Sequence, residues 1–345
     1  MKRRDLLKGA AVLPFLAQTA FSENRKFSGR KNIIKPKRLV KGDTVAVIAP
    51  SSGVAPETFE KALQNLADLG LKTKAGKSAR TRNGFLAGTD KERLDDLHQA
   101  FSDAEIKAVW CVRGGYGAAR FLPDLNFNLI RKNPKILIGY SDITALHTAI
   151  YQNTGLVTFH GPVAASNFSD YTKNHVVNVL MNPSAPYKIE LSPDNIDKES
   201  NLFKTETITK GKCRGELLGG NLSLLTALAG TPFALRNTKG KILFIEDVGE
   251  QPYRIDRMLT QLRQSVDMRQ LAGIALGIFE DCNPKSNDTQ SLVDVLKDRL
   301  GDLGIPVIYG LSFGHIRDQF TLPVGIEAEL DTEKATMTFL ETGVV

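Results

Sequence analysis

The sequence predicts an α/β fold built on a parallel sheet, with a second, smaller body towards the carboxyl end. Three observations carry this reading. Apolar segments alternate with amphipathic ones along the chain; the apolar segments are continuous, as strands covered on both faces require; and a polar stretch, residues 167–205, is interrupted by Pro183, Pro186 and Pro193, as connections between bodies often are. At 345 residues the chain exceeds the usual size of one domain.

Taken in order, the strand DTVAVIAP breaks at Pro50, Ser51, Ser52 and Gly53. The spacing of Phe59, Ala62, Leu63, Leu66 and Leu69 predicts an amphipathic helix that Gly70 stops. The segment IKAVWCVRGGYGAARFLPDL repeats the theme, with a strand to Val112, a glycine-rich turn and a short helix before Pro123. KILIGYSDITALHTAI is a further strand-turn-helix unit. Beyond the connection come strand-like TETITKGKCRGELLGG, a helix over Leu222 to Leu228, and the strand KILFIEDVG. Amphipathic Tyr253 to Gln264, the strand IALGIF and a helix holding Leu292, Val295 and Leu296 follow, and the end is mostly strand and turn. The expected division is an amino-terminal domain over 39–166, a connection over 167–205 and a carboxy-terminal domain over 206–345.

Composition is that of an ordinary soluble globular protein, 42% hydrophobic and 24% charged. The net charge of +7 is concentrated at one end. Residues 1–38 carry eleven Lys or Arg against two acids, which leaves −2 for residues 39–345. A nucleic-acid partner is therefore not expected. Cys111, Cys213 and Cys282 form no C-x-x-C pair, and the five histidines form no H-E-x-x-H motif, so neither a disulfide framework nor a metal site is expected. Lys2, Arg3 and Arg4 precede an apolar run from Leu6 to Leu16, followed by Ala20, Phe21 and Ser22. That order predicts an export leader over 1–22, of twin-arginine type, cleaved after Ser22. A basic arm over 23–38 would follow. The apolar run is too short, and too interrupted by Lys8 and Pro14, for a membrane span.

Chemistry is expected where strands end, because ligands gather at the carboxyl ends of parallel strands. Ser141 lies at the corner between a buried strand and a helix, a position that projects a hydroxyl and aims the next backbone N–H at whatever it attacks. It is a candidate nucleophile. The alternative is a helix N-cap, with Asp142 adding charge at the positive end. Ile143 stands where the G-x-S-x-G elbow has its second glycine. The loop Arg113, Gly114, Gly115, Tyr116 and Gly117 could approach a ligand closely or be a plain turn; Gly115 and Asp142 are candidate oxyanion donors. A nucleophilic serine needs a base and an orienting acid. His315, after Gly314 at a strand end, is the candidate base and His160 its competitor. Glu246 ends the strand ILFIE and needs a partner: His315, or structurally Arg254 or Arg257.

The blocks VAVIAPSSG, GFLAGTDKERLDDL, VWCVRGGYGAARFLPDL, LIGYSDITALH, TFHGP, GELLGGNLSLLTALAGTPF, ILFIEDVGEQPYRIDRMLTQL and LSFGHIRDQFTLPVG, in this order, resemble the LD-carboxypeptidase family of serine peptidases. The resemblance implies Ser141 as nucleophile, Glu246 as orienting acid and His315 as base, with oxyanion donors from the backbone of Gly115 and Asp142. It implies an α/β domain joined to a smaller swivelling β/α domain, commonly in a homodimer, with no metal or organic cofactor. The implied reaction releases terminal D-alanine from an L-centre diamino acid in a murein tetrapeptide. Arg113, Gly114 and Tyr116 are candidate substrate contacts. Alternatives are the microcin-immunity branch of the family, which cleaves peptide-nucleotide conjugates, and a non-catalytic envelope protein that binds peptidoglycan peptides. With its leader, the chain is expected in the periplasm or cell envelope, free of the membrane once cleaved.

Overall fold

A computed structural model describes residues 32–286 and 289–345. The expected leader, and the basic arm as far as residue 31, lie outside the described residues. Among the described residues no helix is long and apolar enough to cross a membrane.

The first half alternates β1 (Thr44–Ile48), α1 (Pro56–Asp68), β2 (Lys72–Ala75), α2 (Asp90–Ser102), β3 (Ile106–Cys111), α3 (Phe127–Lys132), β4 (Ile136–Gly139), α4 (Thr144–Thr154) and β5 (Thr158–His160). Local chemistry sets the ends of these elements. Pro56 opens α1, where its missing N–H costs nothing. Thr89 and Glu92 close a capping box on α2. Gly155, at φ 79°, ends α4 in the left-handed conformation that glycine adopts freely.

After α5 (Asp170–Leu180), β6 (Tyr187–Ile189) and α6 (Pro193–Ile196), the chain builds a second sheet from β7 (Glu206–Thr209), β8 (Lys212–Asn221), β9 (Ile242–Glu246), β10 (Gly273–Ile278) and β11 (Val307–Gly314). Helices α7 (Leu222–Ala227), α8 (Pro252–Ser265) and α9 (Leu292–Leu300) connect these strands, and β12 (Leu322–Val324), β13 (Glu327–Asp331) and β14 (Thr336–Phe339) complete the chain.

The first sheet has the order β12-β5-β4-β3-β1-β2, and β5 to β2 are parallel. The second has the order β6-β14-β13-β8-β9-β10-β11-β7, with a parallel centre from β8 to β11. Every residue of β4, β9, β10 and β11 is buried, which is why these strands read as unbroken apolar runs. One apolar cluster joins Val45, Trp110 and Phe159 of the first sheet to Leu217, Phe244 and Phe313 of the second. A second cluster, with Phe101, Val109 and Leu146, fills the opposite face of the first sheet.

Two segments cross the boundaries read from the sequence. Residues 167–205 are more than a connection, because β6 within them is hydrogen-bonded to β14 at the edge of the second sheet. β12, well inside 206–345, returns to pair antiparallel with β5, Leu322 opposite His160.

Candidate active site

The carboxyl ends of β3 and β4 in the first sheet, and of β8, β9 and β11 in the second, supply the residues of the site. Tyr140 leaves β4 extended, at φ −142°, and Ser141 then takes φ 65°. A side chain in that left-handed region costs on the order of 1–2 kcal/mol, so the corner is held against local preference. A Cβ on Gly139 would lie 2.9 Å from Ile143 Cγ1, so the glycine two residues before the serine leaves room for the isoleucine that stands where the elbow has its second glycine. Neither the turn at Ser141–Ile143 nor α4 has a side-chain cap. Ser141 is not an N-cap, and that reading falls.

The loop after β3 comes directly onto this serine. A Cβ on Gly114 would sit 2.8 Å from Ser141 Cβ and 3.0 Å from Oγ. Gly114, rather than Gly115, is the residue whose bare Cα faces the hydroxyl. Gly115, at φ 108°, instead leaves space for Ser52. Ser52 ties the loops together: its N–H donates to Gly114 O at 3.3 Å, and its hydroxyl accepts from the Tyr116 N–H at 3.2 Å. The Asp142 side chain turns inward, 1% exposed, and accepts from Ser51 Oγ at 2.5 Å and the Ala118 N–H at 2.8 Å. Burial raises its carboxyl above the ordinary range, and those hydrogen bonds oppose the shift.

From the second sheet, Glu246 ends β9 with no exposure, and its Oε2 lies 2.7 Å from His315 Nδ1. Gly314, at φ 119°, permits this approach, since a Cβ there would stand 2.8 Å from Ile278 O and 3.2 Å from Glu246 Cβ. Burial lowers the pKa of His315, but the Glu246 carboxylate more than offsets it and leaves the imidazole above its ordinary value. For Glu246 burial pushes up and His315 pulls further down, so the acid is held ionised below the usual range. Beside it, Asp247 is pushed up to about 6 by burial and by the charge of Glu246.

The two halves meet at Tyr140, whose ring stands edge-on to that of His315 with centroids 4.7 Å apart. Among the described residues no hydrogen bond joins Ser141 Oγ to His315. Glu246 and His315 are thus brought together directly, and Ser141 is brought beside them through its neighbour. Arg254 faces Glu250 at 3.5 Å, so the structural partner proposed for Glu246 among the arginines is replaced by the histidine. His160 is fully buried among Tyr140, Phe244 and Phe313, and burial pushes it down to about 4. A proton acceptor sealed from solvent and held that low is a poor base for Ser141.

Of the candidate substrate contacts, Gly114 is buried against Ser141, Arg113 is exposed with Nη1 3.5 Å from Gly53 O, and Tyr116 is exposed and packs on Phe85 at 5.6 Å. Asn221 escaped the sequence reading. Its N–H donates to Thr144 Oγ1 at 2.9 Å and its Nδ2 to Asp247 Oδ1 at 3.0 Å, so it links the serine's helix to the acid's strand. Its signal was the run GGN at a strand end, where a side-chain amide follows two glycines. Among the described residues no group of three or more His, Cys, Asp or Glu could hold a metal ion.

Comparison with known proteins identifies the family. The model of the LD-carboxypeptidase N-terminal domain matches residues 45–161, and that of the LD-carboxypeptidase C-terminal domain matches residues 214–330. A Bacillus subtilis protein named "Probable murein peptide carboxypeptidase" is 46% identical over 316 residues, spanning 90% of this chain and 95% of its own. A solved structure of MccF in complex with glutamyl sulfamoyl guanosine superimposes with a TM-score of 0.82 at 26% identity, covering 90% of this chain and 99% of that one. The muramoyltetrapeptide carboxypeptidase of Oxalobacter formigenes gives 0.74 at 31% identity, over 87% and 99%. With both of its domain models matched and this relative at nearly half identity, the chain belongs to the LD-carboxypeptidase family.

Proposed function

We propose that this serine carboxypeptidase hydrolyses the amide between an L-centre diamino acid and the terminal D-alanine of murein tetrapeptides, through an acyl-enzyme. The observation that carries the reading is the Glu246 to His315 hydrogen bond of 2.7 Å beside a serine held at φ 65°, in a family whose relatives include murein peptide carboxypeptidases. In this reading Ser141 Oγ attacks the scissile carbonyl and His315 Nε2 takes its proton. Glu246 keeps the other ring nitrogen protonated, and so presents the lone pair of Nε2 to the serine. Bringing the hydroxyl onto Nε2 is a step completed with substrate bound, as is common for catalytic hydrogen bonds. Backbone N–H groups of Gly115 and Asp142 receive the oxyanion, the protonated histidine gives its proton to the departing amine, and water releases the acyl group.

The test is D-alanine release from defined tetrapeptides by the wild type and by Ser141→Ala, beside an aminoacyl-nucleotide conjugate as competing substrate. Release that survives in the variant, or cleavage of the conjugate alone, rejects the proposal.

Export belongs to the same reading, supported by the order of Lys2, Arg3, Arg4, apolar run and small residues. Fusion of residues 1–38 to a reporter exported only when folded, with and without Arg3→Lys and Arg4→Lys, tests it. A homodimer is supported by the family resemblance, and light scattering on the purified chain decides it.

A further inference from the structure

A fully buried guanidinium stands behind the loops that face Ser141. Arg93, on α2, is 0% exposed. Its Nε donates to Gly88 O at 3.2 Å, its Nη1 to Gly117 O at 2.9 Å and also to Pro50 O, and its Nη2 to Asp90 Oδ1. Four of the five N–H donors of an arginine are thereby spent. Three of them hold carbonyls at the bases of three different loops. Those loops are the segment before α2, the turn after β1 and the glycine loop after β3. The last two are cross-braced by Ser52, and the glycine loop presents Gly114 to the nucleophile. Phe121 stacks beneath the guanidinium, 5.2 Å from ring centroid to Cζ. Room for the head group is provided by Gly117, on which a Cβ would stand 2.9 Å from Nη1.

We propose that Arg93 is a positioning residue for catalysis: by fixing the Pro50 and Gly117 carbonyls together, it sets where the Gly114–Gly115 peptide stands relative to Ser141. Lysine cannot substitute, because an ammonium on a flexible stem cannot span three carbonyls in one plane as a guanidinium does. The proposal rests on the reading of the glycine loop as the source of an oxyanion donor. Donors aimed at the oxyanion act in the transition state and not on the bound substrate, so a misplaced loop lowers kcat and leaves KM alone.

The test compares wild type, Arg93→Lys and Asp90→Ala in D-alanine release, with rates divided by active sites titrated with a serine-directed fluorophosphonate, alongside thermal melts. Arg93→Lys is expected to lower kcat per titrated site by about tenfold or more, short of the hundredfold typical of losing a whole donor, with KM changed by less than about threefold. A variant that melts lower but turns over at the wild-type rate per site makes Arg93 merely structural and overturns the proposal. Should Arg93→Lys fail to fold, Asp90→Ala decides. Asp90 is 37% exposed and is an ion partner of Arg93. Its loss removes one of the four hydrogen bonds that orient the guanidinium and should lower kcat per site about threefold or more, whereas an unchanged kcat overturns the proposal. Wild-type protein that releases no D-alanine, or Ser141→Ala that still does, would sink the functional reading itself whatever Arg93 does.

Discussion

Glu246→Gln preserves the shape of a fully buried side chain while removing the charge 2.7 Å from His315 Nδ1, and its consequences can be followed through both pH and rate. In the wild type burial pushes the imidazole down and Glu246 pushes it up further, for a net rise above its ordinary value. The base must be neutral to take the serine proton, so kcat/KM falls as pH drops through that raised pKa. Removing the carboxylate leaves burial dominant, and the acid limb of the profile moves to lower pH. Each unit of that movement corresponds to about 1.36 kcal/mol of lost imidazolium stabilisation. The transition state holds an imidazolium, so the same loss raises the barrier. A glutamine can also turn its NH₂ towards Nδ1 and force the proton onto Nε2, the wrong tautomer. Together these effects cost on the order of 10³- to 10⁴-fold in kcat. The assay is D-alanine release measured from about pH 5 to 9 on both proteins. A variant with wild-type kcat, or with an acid limb that stays in place, would refute the coupling of Glu246 to His315.

The strain at Ser141 predicts a difference between two inactive variants. Ser141→Gly should be more stable than Ser141→Ala by about 1 kcal/mol, because only glycine adopts φ 65° without cost; urea denaturation measures it. Gly114→Ala builds a methyl 2.8 Å from Ser141 Cβ and should lower kcat on the order of a hundredfold, with correct folding checked by circular dichroism. Acid stability follows from the buried histidines. His147, His160 and His175 are pushed down to about 3, 4 and 4 by burial, so the folded chain binds fewer protons than the unfolded one below the ordinary value of about 6.5. Their contribution is complete above that pH and is lost as pH falls, by roughly 2 kcal/mol each at about pH 5. His315, held above its ordinary value, acts in the opposite sense. Urea midpoints that do not fall between about pH 7 and 5 would contradict this balance.

Much of the site was legible because it sits at ends of strands whose apolar runs are unbroken. The strand before Ser141, the glycine loop after β3 and the strand ending at Glu246 all appear as local patterns. Arg93 was not legible, since in DKERLDDL it resembles any charged residue on a solvated helix. Only the packing of α2 against three loops buries it. Asn221 was hidden for a similar reason, its partners Thr144 and Asp247 lying 77 and 26 residues away. Within the connection over 167–205, the strand β6 was not legible because it is three residues long, too short for its period to show.

Periodicity, glycine and proline act over a few residues, so they determine each strand-turn-helix unit before any long-range contact forms. The candidates for nucleophile, acid and base were accordingly within reach of one-dimensional reasoning. What no local pattern contains is register: that β12 returns to lie beside β5, that Tyr140 meets His315, and that one guanidinium joins three loops. Those relations come from apolar surfaces of two sheets sharing one core, and they bring the buried Glu246 carboxylate within 2.7 Å of His315.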